Sequence, residues 1–138
     1  MELWQLYQNT VFLMPKTPSR RLAFAIVTAH NPRGKALGEE ANHYRDQRLE
    51  AELLGAGFHP LPLWGCSPDL KHREKSWAVV MAKTRAVELG LRLEQNAIYW
   101  VEQDRLYLVP CLLTEDECCL GRFSERLFDA ELGGPGGF

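Results

Sequence analysis

The chain of 138 residues has the length of one typical domain, and its content of 46% hydrophobic and 25% charged residues excludes wholesale disorder. A formal net charge of −2 at pH 7 supplies no general basic field, so neither nucleic acid nor an anionic membrane is a favoured partner. The amino terminus lacks a basic region followed by a long apolar stretch, and we predict a cytoplasmic protein without a membrane segment.

The four cysteines and four histidines show no spacing typical of a metal site. No CxxC pair is present, and the adjacent Cys118 and Cys119 can scarcely bridge each other without strain. We therefore expect reduced thiols, and we predict neither a metal nor a cofactor.

The first half of the chain predicts a buried strand followed by a long helix. Residues 2–8 are expected to form one or two helical turns, and the following "TVFLM" is expected to form a short strand. The continuous apolar run "LAFAIVTA", residues 22–29, predicts a central strand buried on both faces. A helix is predicted over residues 38–54, with two glutamates in its first turn, where carboxylates suit the helix dipole.

The middle of the chain predicts a second strand, helix, strand unit. "FHPLPLW" indicates a strand that its two prolines push towards a sheet edge. Residues 65–75 have no clear period and are expected to form a long polar connection. "SWAVVM" then predicts a strand, and residues 84–93 a helix in which Gly90 allows close approach to the sheet.

The last third predicts a hairpin and a tail. "NAIYWV" and "RLYLVP" are β-rich runs separated by three residues, which favours a β-hairpin. "SERLFDAEL", residues 124–132, is interpreted as a short amphipathic helix, and the terminal "GGPGGF" as flexible.

These elements predict an α+β fold with a single mixed or antiparallel sheet and two main helices on one face, with a ferredoxin-like split βαβ arrangement as first choice. A small doubly wound α/β sheet is the alternative, because the first long strand is apolar enough to be covered on both sides. The predicted domain spans residues 1–111, and residues 112–138 form an acidic carboxy-terminal extension.

The polar residues that could bind a ligand or take part in a reaction lie at the ends of these elements. The turn "HNPRGK", residues 30–35, precedes a helix and brings two basic residues, which is typical of an anion site. No standard phosphate loop is present, and the simpler interpretation is a solvated turn in which Asn31 bonds its own backbone.

Two further pairs lie close to this turn in the predicted fold. Asn42 and Arg45 begin the inward stripe of the first long helix, where an amide and a guanidinium can grip a polar ligand or serve structural bonds. Glu74 and Ser76 point to one side of a strand by its period of two. Glu74 is interpreted as a general base or as an ion-pair partner of Arg45.

Gln95 and Asn96, taken alone, indicate only the end of the second helix. The order of the motifs is more specific than any of them, and it resembles the bacterial family called domain of unknown function 3293 from about Phe24 to Val109. The motifs are "FAIVTAHNP", "LGEEAN", "LEAELLGAGF", "WGCSP", "REKS" and "QNAIYW".

The resemblance implies a set of shared polar positions, and it implies no activity. These positions are Asn31, Asn42, Glu74, Ser76, Gln95 and Asn96. Because all six stand at element ends, the family pattern favours one shared pocket. The chain departs from the pattern at Gly38, where the family usually has serine, and at Ala41, where it often has glutamate, so a scheme that needs this second acid is not supported.

Three functions are therefore considered. The first is a pocket formed by Asn31, Asn42, Arg45, Glu74 and Asn96 that binds a small anionic or nucleotide-like ligand. The second is a protein-interaction or regulatory module that uses the acidic tail. The third is a hydrolase or transferase with Glu74 as base, which lacks an accompanying nucleophile or metal set. The pocket hypothesis requires the polar side chains to meet within about 12 Å, the reach of a small ligand.

Overall fold

The computed structural model describes residues 2–128, and within this range the chain forms three α-helices and eight strands. The helices are α1 (Leu3–Gln8), α2 (Glu39–Gly55) and α3 (Lys83–Arg92). The strands are β1 (Val11–Leu13), β2 (Phe24–Val27), β3 (Leu61–Cys66), β4 (Arg73–Val79), β5 (Ala97–Glu102), β6 (Arg105–Pro110), β7 (Cys118–Arg122) and β8 (Leu127–Phe128). Short 3-10 turns cover Pro32–Gly34 and Phe123–Arg126.

All eight strands belong to one curled sheet that forms a half-barrel, in the order β7-β6-β5-β2-β4-β3-β1-β8. Neighbouring strands are antiparallel except for β1 and β8, which run parallel. In both strand–helix–strand segments, the two strands that the helix connects are separated in the sheet by one other strand. β4 lies between β2 and β3, and β2 lies between β4 and β5.

The predicted ferredoxin-like fold with two main helices is wrong, and so is the doubly wound alternative. The observed protein is a strand-rich half-barrel of eight strands with three helices of 6, 17 and 10 residues. The sheet extends beyond β3 through β1 and β8, and beyond β5 through β6 and β7. A doubly wound fold requires parallel neighbours, whereas β2 is antiparallel to both strands beside it.

Most individual elements agree with the sequence patterns. The short helix, the buried strand β2, the two long helices and the β5–β6 hairpin all form, with boundaries shifted by one or two residues. Gly90 permits the predicted close approach, because a Cβ atom there would lie 2.6 Å from Cys111 Sγ and 2.9 Å from Ile98 Cγ2.

Two local predictions differ from the structure. The strand β3 is not an edge strand over its whole length, because β4 pairs with all of it and β1 pairs with its residues 64–66. Pro62 lies in the part of β3 that has β4 as its one neighbour. The helix predicted over residues 124–132 does not form in its described part, where a 3-10 turn leads into β8. The "GGPGGF" end lies outside the described residues.

The two faces of the sheet carry separate apolar clusters. One face packs against α2 and α3, through residues such as Leu49 and Leu89. The opposite face has its own cluster around Phe12, Ile26 and Leu106. Residues 2–128 contain no helix that is both long and apolar enough to cross a membrane.

Candidate functional site

A cleft of about 860 Å³ opens on the face of the sheet opposite α2 and α3. This volume lies in the range of small-molecule sites. Its apolar lining comes from Leu3 and Leu6 of α1 and from Phe12, Ile26 and Leu108 of the sheet. Its polar lining includes Tyr7, Thr28, Asn31, Glu74, Ser76, Gln95, Asn96 and Tyr99. Five of the seven residues proposed from the sequence therefore line one cleft.

Asn31 and Asn42 form a reciprocal pair at the edge of this cleft. The Asn31 N–H donates to Asn42 Oδ1 at 2.9 Å, and Asn42 Nδ2 donates to Asn31 Oδ1 at 2.9 Å. The Leu37 N–H also donates to Asn31 Oδ1, at 3.0 Å. Asn31 has a left-handed backbone with φ 48°, which asparagine tolerates better than most residues. Asn42 itself does not line the cleft, and its role is to hold Asn31 in place.

Glu74 supplies a carboxyl group to the cleft wall. It accepts a hydrogen bond from the side-chain amide of Asn31, which Asn42 holds in place. Asn31 Nδ2 donates to Glu74 Oε2 at 3.2 Å. Burial raises the pKa of Glu74 to about 7, although the side chains of Asn31 and Thr28 act in the opposite direction. The carboxyl group can therefore exchange a proton near neutral pH.

Two hydroxyl groups flank Glu74 and are bonded to the backbone. The Ser76 hydroxyl donates to the Glu74 carbonyl oxygen at 3.1 Å. The Thr28 hydroxyl donates to the Lys75 carbonyl oxygen at 2.7 Å and accepts from the His30 N–H at 3.1 Å. These bonds fix the ends of β2 and β4, from which the cleft wall is built.

The loop after α3 supplies the last two predicted residues. Gln95 Nε2 donates to the His30 carbonyl oxygen at 3.0 Å, and Asn96 Nδ2 donates to the Tyr7 hydroxyl at 3.0 Å. Both side chains are buried and border the cleft. Gly34 packs tightly here, since a Cβ atom at this position would lie 2.9 Å from Asn96 Nδ2.

The helix α1 forms a wall that the sequence interpretation did not include. The Tyr99 hydroxyl donates to the Tyr7 carbonyl oxygen at 2.6 Å, and Asn96 bonds the Tyr7 hydroxyl. Arg126 donates to the carbonyl oxygens of Gln8 and Thr10, just after the helix. Burial raises the pKa of Tyr7 and of Tyr99 above the usual tyrosine value.

Arg45 is placed away from the cleft. Its Nε donates to the Ala29 carbonyl oxygen at 2.6 Å, and a terminal nitrogen donates to the Leu93 carbonyl oxygen at 2.8 Å. The residue therefore ties α2 to the ends of β2 and α3, and it does not pair with Glu74. Asp46, rather than Arg45, is the buried charged residue of α2, and it accepts from Trp77 Nε1 at 2.8 Å.

The basic side chains of the cleft come from the end of the β3–β4 turn and from the first residue of β4. Lys71, His72 and Arg73 all border the cleft. Lys75 is the next cation along β4, but it lies on the helix-covered side, where it contacts Asp46 at 3.3 Å. Within residues 2–128, no three or more His, Cys, Asp or Glu side chains are grouped to hold a metal ion.

Some of the missed residues carry a sequence signal. Leu3, Leu6 and Tyr7 lie on one stripe at spacings of three and four, which indicates a helix face that packs against the protein. Thr28 follows Ile26 by two residues, so the strand period places both on the same face. No local pattern indicates that α1 meets Asn96, because this contact joins residues 89 positions apart.

Comparison with known families gives a match over the centre of the chain. The family described as "Protein of unknown function (DUF3293)" matches residues 27–98. The chain belongs to this family. The DUF3293 match contains all seven residues proposed from the sequence, whereas α1 and Tyr99 lie outside it. Comparisons with curated proteins and with solved structures found no match.

Proposed function

We propose that this DUF3293 protein binds a small nucleotide-like ligand in the cleft. The observation that carries the proposal is the meeting of three kinds of surface in one volume of about 860 Å³. Apolar side chains of α1 and the sheet face a wall of amide, hydroxyl and carboxyl groups, and a basic turn borders both. A nucleotide offers the matching parts: a flat ring, a hydrogen-bonding edge and an anionic phosphate.

The phosphate part of the proposal rests on the β3–β4 turn. The sequence predicts Arg45 as the cation of the pocket, but its guanidinium donates to two backbone carbonyl groups. Lys71, His72 and Arg73 border the cleft, but the Arg73 Nε donates to the Leu70 carbonyl oxygen at 2.9 Å. Lys71 takes over this role, because its side chain is exposed and its ammonium group can meet an anion at the cleft.

The test measures binding of AMP, GMP, CMP and UMP by thermal shift and by isothermal titration calorimetry. The variant Lys71→Glu reverses one charge at the cleft, and Lys16→Glu makes the same change at an exposed residue that does not line the cleft. We expect Lys71→Glu to weaken nucleotide binding and Lys16→Glu to leave it unchanged. Failure of all four nucleotides to bind the wild-type protein would reject the proposal.

Proton transfer by Glu74 is the second candidate function. Its support is a carboxyl group in the cleft wall with a pKa raised by burial to about 7, the value suited to a general base at neutral pH. Any nucleotide that binds is incubated with wild-type protein and with Glu74→Gln, and its conversion is followed by chromatography. Conversion by both proteins at the same rate would contradict this role.

A protein partner for residues 112–138 and a cytoplasmic location remain predictions from the sequence. Co-purification of the full chain and of a chain ending at residue 128, which keeps β7 and β8 in the sheet, tests the first. An unchanged set of partners would argue against it. Imaging of a tagged full chain in cells tests the second.

A further inference from the structure

The carboxylate of Glu74 is largely buried and has no cationic partner. No Lys, Arg or His within residues 2–128 forms an ion pair with it, and the amide of Asn31 is its side-chain donor at 3.2 Å. Burial of a carboxylate is costly unless it is paired or fully hydrogen-bonded. The site therefore has unused capacity to accept hydrogen bonds.

The neighbouring side chains leave room for further donors. The single hydroxyl proton of Thr28 is shared between the Lys75 carbonyl oxygen and the Glu74 carboxyl group, whose pKa it lowers, and that of Ser76 goes to the Glu74 carbonyl oxygen. Asn31 is held by Asn42 and the Leu37 N–H, so its amide cannot turn to offer a second bond. The remaining acceptor capacity of the carboxylate faces the cleft, where solvent or a ligand can supply donors.

We propose that the ligand of the cleft places a planar group with two adjacent N–H donors against Glu74, an inference that rests on the proposed function and specifies its ligand. An ionised carboxylate is an acceptor on both oxygens, and it takes parallel N–H bonds from such a group in one plane. Both the edge of guanine, with its ring N–H and exocyclic amine, and a guanidinium group have this arrangement. Adenine and cytosine edges pair one donor with one acceptor and lack it.

The geometry of the cleft suits a flat group at this position. Glu74 and Ser76 stand on the same face of β4, and the apolar Ile26 of β2 and Phe12 of β1 line the same volume. The ring can lie over apolar side chains while its edge meets the carboxylate. Residues 71–73, which are basic, immediately precede Glu74 in the chain and border the same cleft. A phosphate on the same ligand therefore has cations nearby.

The experiment compares GMP, IMP and agmatine by isothermal titration calorimetry at pH 8, where the carboxylate is ionised. IMP is GMP without the exocyclic amine, and agmatine carries a guanidinium without a phosphate. We expect GMP to bind roughly ten- to a hundredfold more tightly than IMP, the effect of one charge-assisted hydrogen bond. The variant Glu74→Gln should abolish this preference, because its amide presents N–H groups to the donors of the ligand. Glu88→Gln, at an exposed position of α3, is the matched control and should keep the preference.

The outcomes separate the two proposals. Equal affinities for GMP and IMP, or a preference that survives in Glu74→Gln, would overturn the inference while nucleotide binding stands. Agmatine binding that depends on Glu74, without binding of either nucleotide, would support the inference and reject the nucleotide. Absence of binding by all three probes would reject the inference, and the nucleotide proposal is rejected with it only if AMP, CMP and UMP also fail to bind. Circular dichroism and thermal melting of each variant show whether it is folded.

Discussion

Replacement of Glu74 by glutamine is expected to change how the stability of the protein depends on pH. Burial raises the pKa of this carboxyl group from the ordinary 4.5 to about 7. Below pH 4.5 the group is protonated in both the folded and the unfolded chain and costs nothing. Between 4.5 and 7 the unfolded chain ionises first, so the free energy of unfolding falls as pH rises, and above pH 7 the cost is constant.

The size of the effect follows from the same two pKa values. Their separation corresponds to about 3 kcal/mol, of which about 2 to 3 kcal/mol is lost between pH 5 and pH 8. Glutamine is nearly isosteric and can still accept from Asn31, but it does not ionise. The free energy of unfolding of the Glu74→Gln variant should therefore gain this amount relative to wild type as pH rises through that interval.

The assay is urea unfolding followed by tryptophan fluorescence at pH 5, 6, 7 and 8. Burial lowers the pKa of His30, which makes folding more favourable as pH rises, but this contribution is common to both proteins and cancels in their difference. Glu88→Gln, which removes an exposed carboxyl group, should parallel wild type. A constant difference between wild type and Glu74→Gln at all four pH values would refute the reasoning.

Three further predictions concern the supports of the cleft, each measured by urea unfolding at pH 7. Gly34→Ala should lower the free energy of unfolding by about 1 to 3 kcal/mol, since φ is +73° and the added Cβ would lie 2.9 Å from the Asn96 amide nitrogen. Gly55→Ala is the control: it has open space around it in α2 and should raise the free energy of unfolding by about 0.5 to 1 kcal/mol. A Gly34→Ala variant as stable as wild type would contradict the tight packing at Gly34. Asn42→Ala should cost about 2 kcal/mol by freeing the polar groups of Asn31, and an unchanged midpoint would count against their pairing. Arg45→Met should cost about 2 to 3 kcal/mol through two unbonded carbonyl groups, and a loss below about 0.5 kcal/mol would deny its structural role.

The polar residues at element ends could be recognised from the sequence, but the sequence could not show which of them line the cleft and which make structural hydrogen bonds. The pattern that selected Asn31 and Glu74 is local, and the structure places them 3.2 Å apart. Arg45 and Asp46 are neighbours on α2, and only the packing of this helix decides which one is buried and which one bonds the backbone of Ala29. The periodic pattern of a helix predicts its buried face to within about one residue, so it cannot distinguish between Arg45 and Asp46.

Local periodicity and the order of motifs were enough to predict the buried strand β2, the two long helices, the β5–β6 hairpin and the family. No local pattern predicts that β1, β7 and β8 extend the sheet into a half-barrel or that α1 closes one side of the cleft, because both depend on packing between distant parts of the chain. The strand β8 has two residues, too few for a periodic signal, whereas β1 lies within the run "TVFLM" that the sequence predicts as a short strand. Their pairing depends on contacts between residues more than one hundred positions apart, which no local pattern records.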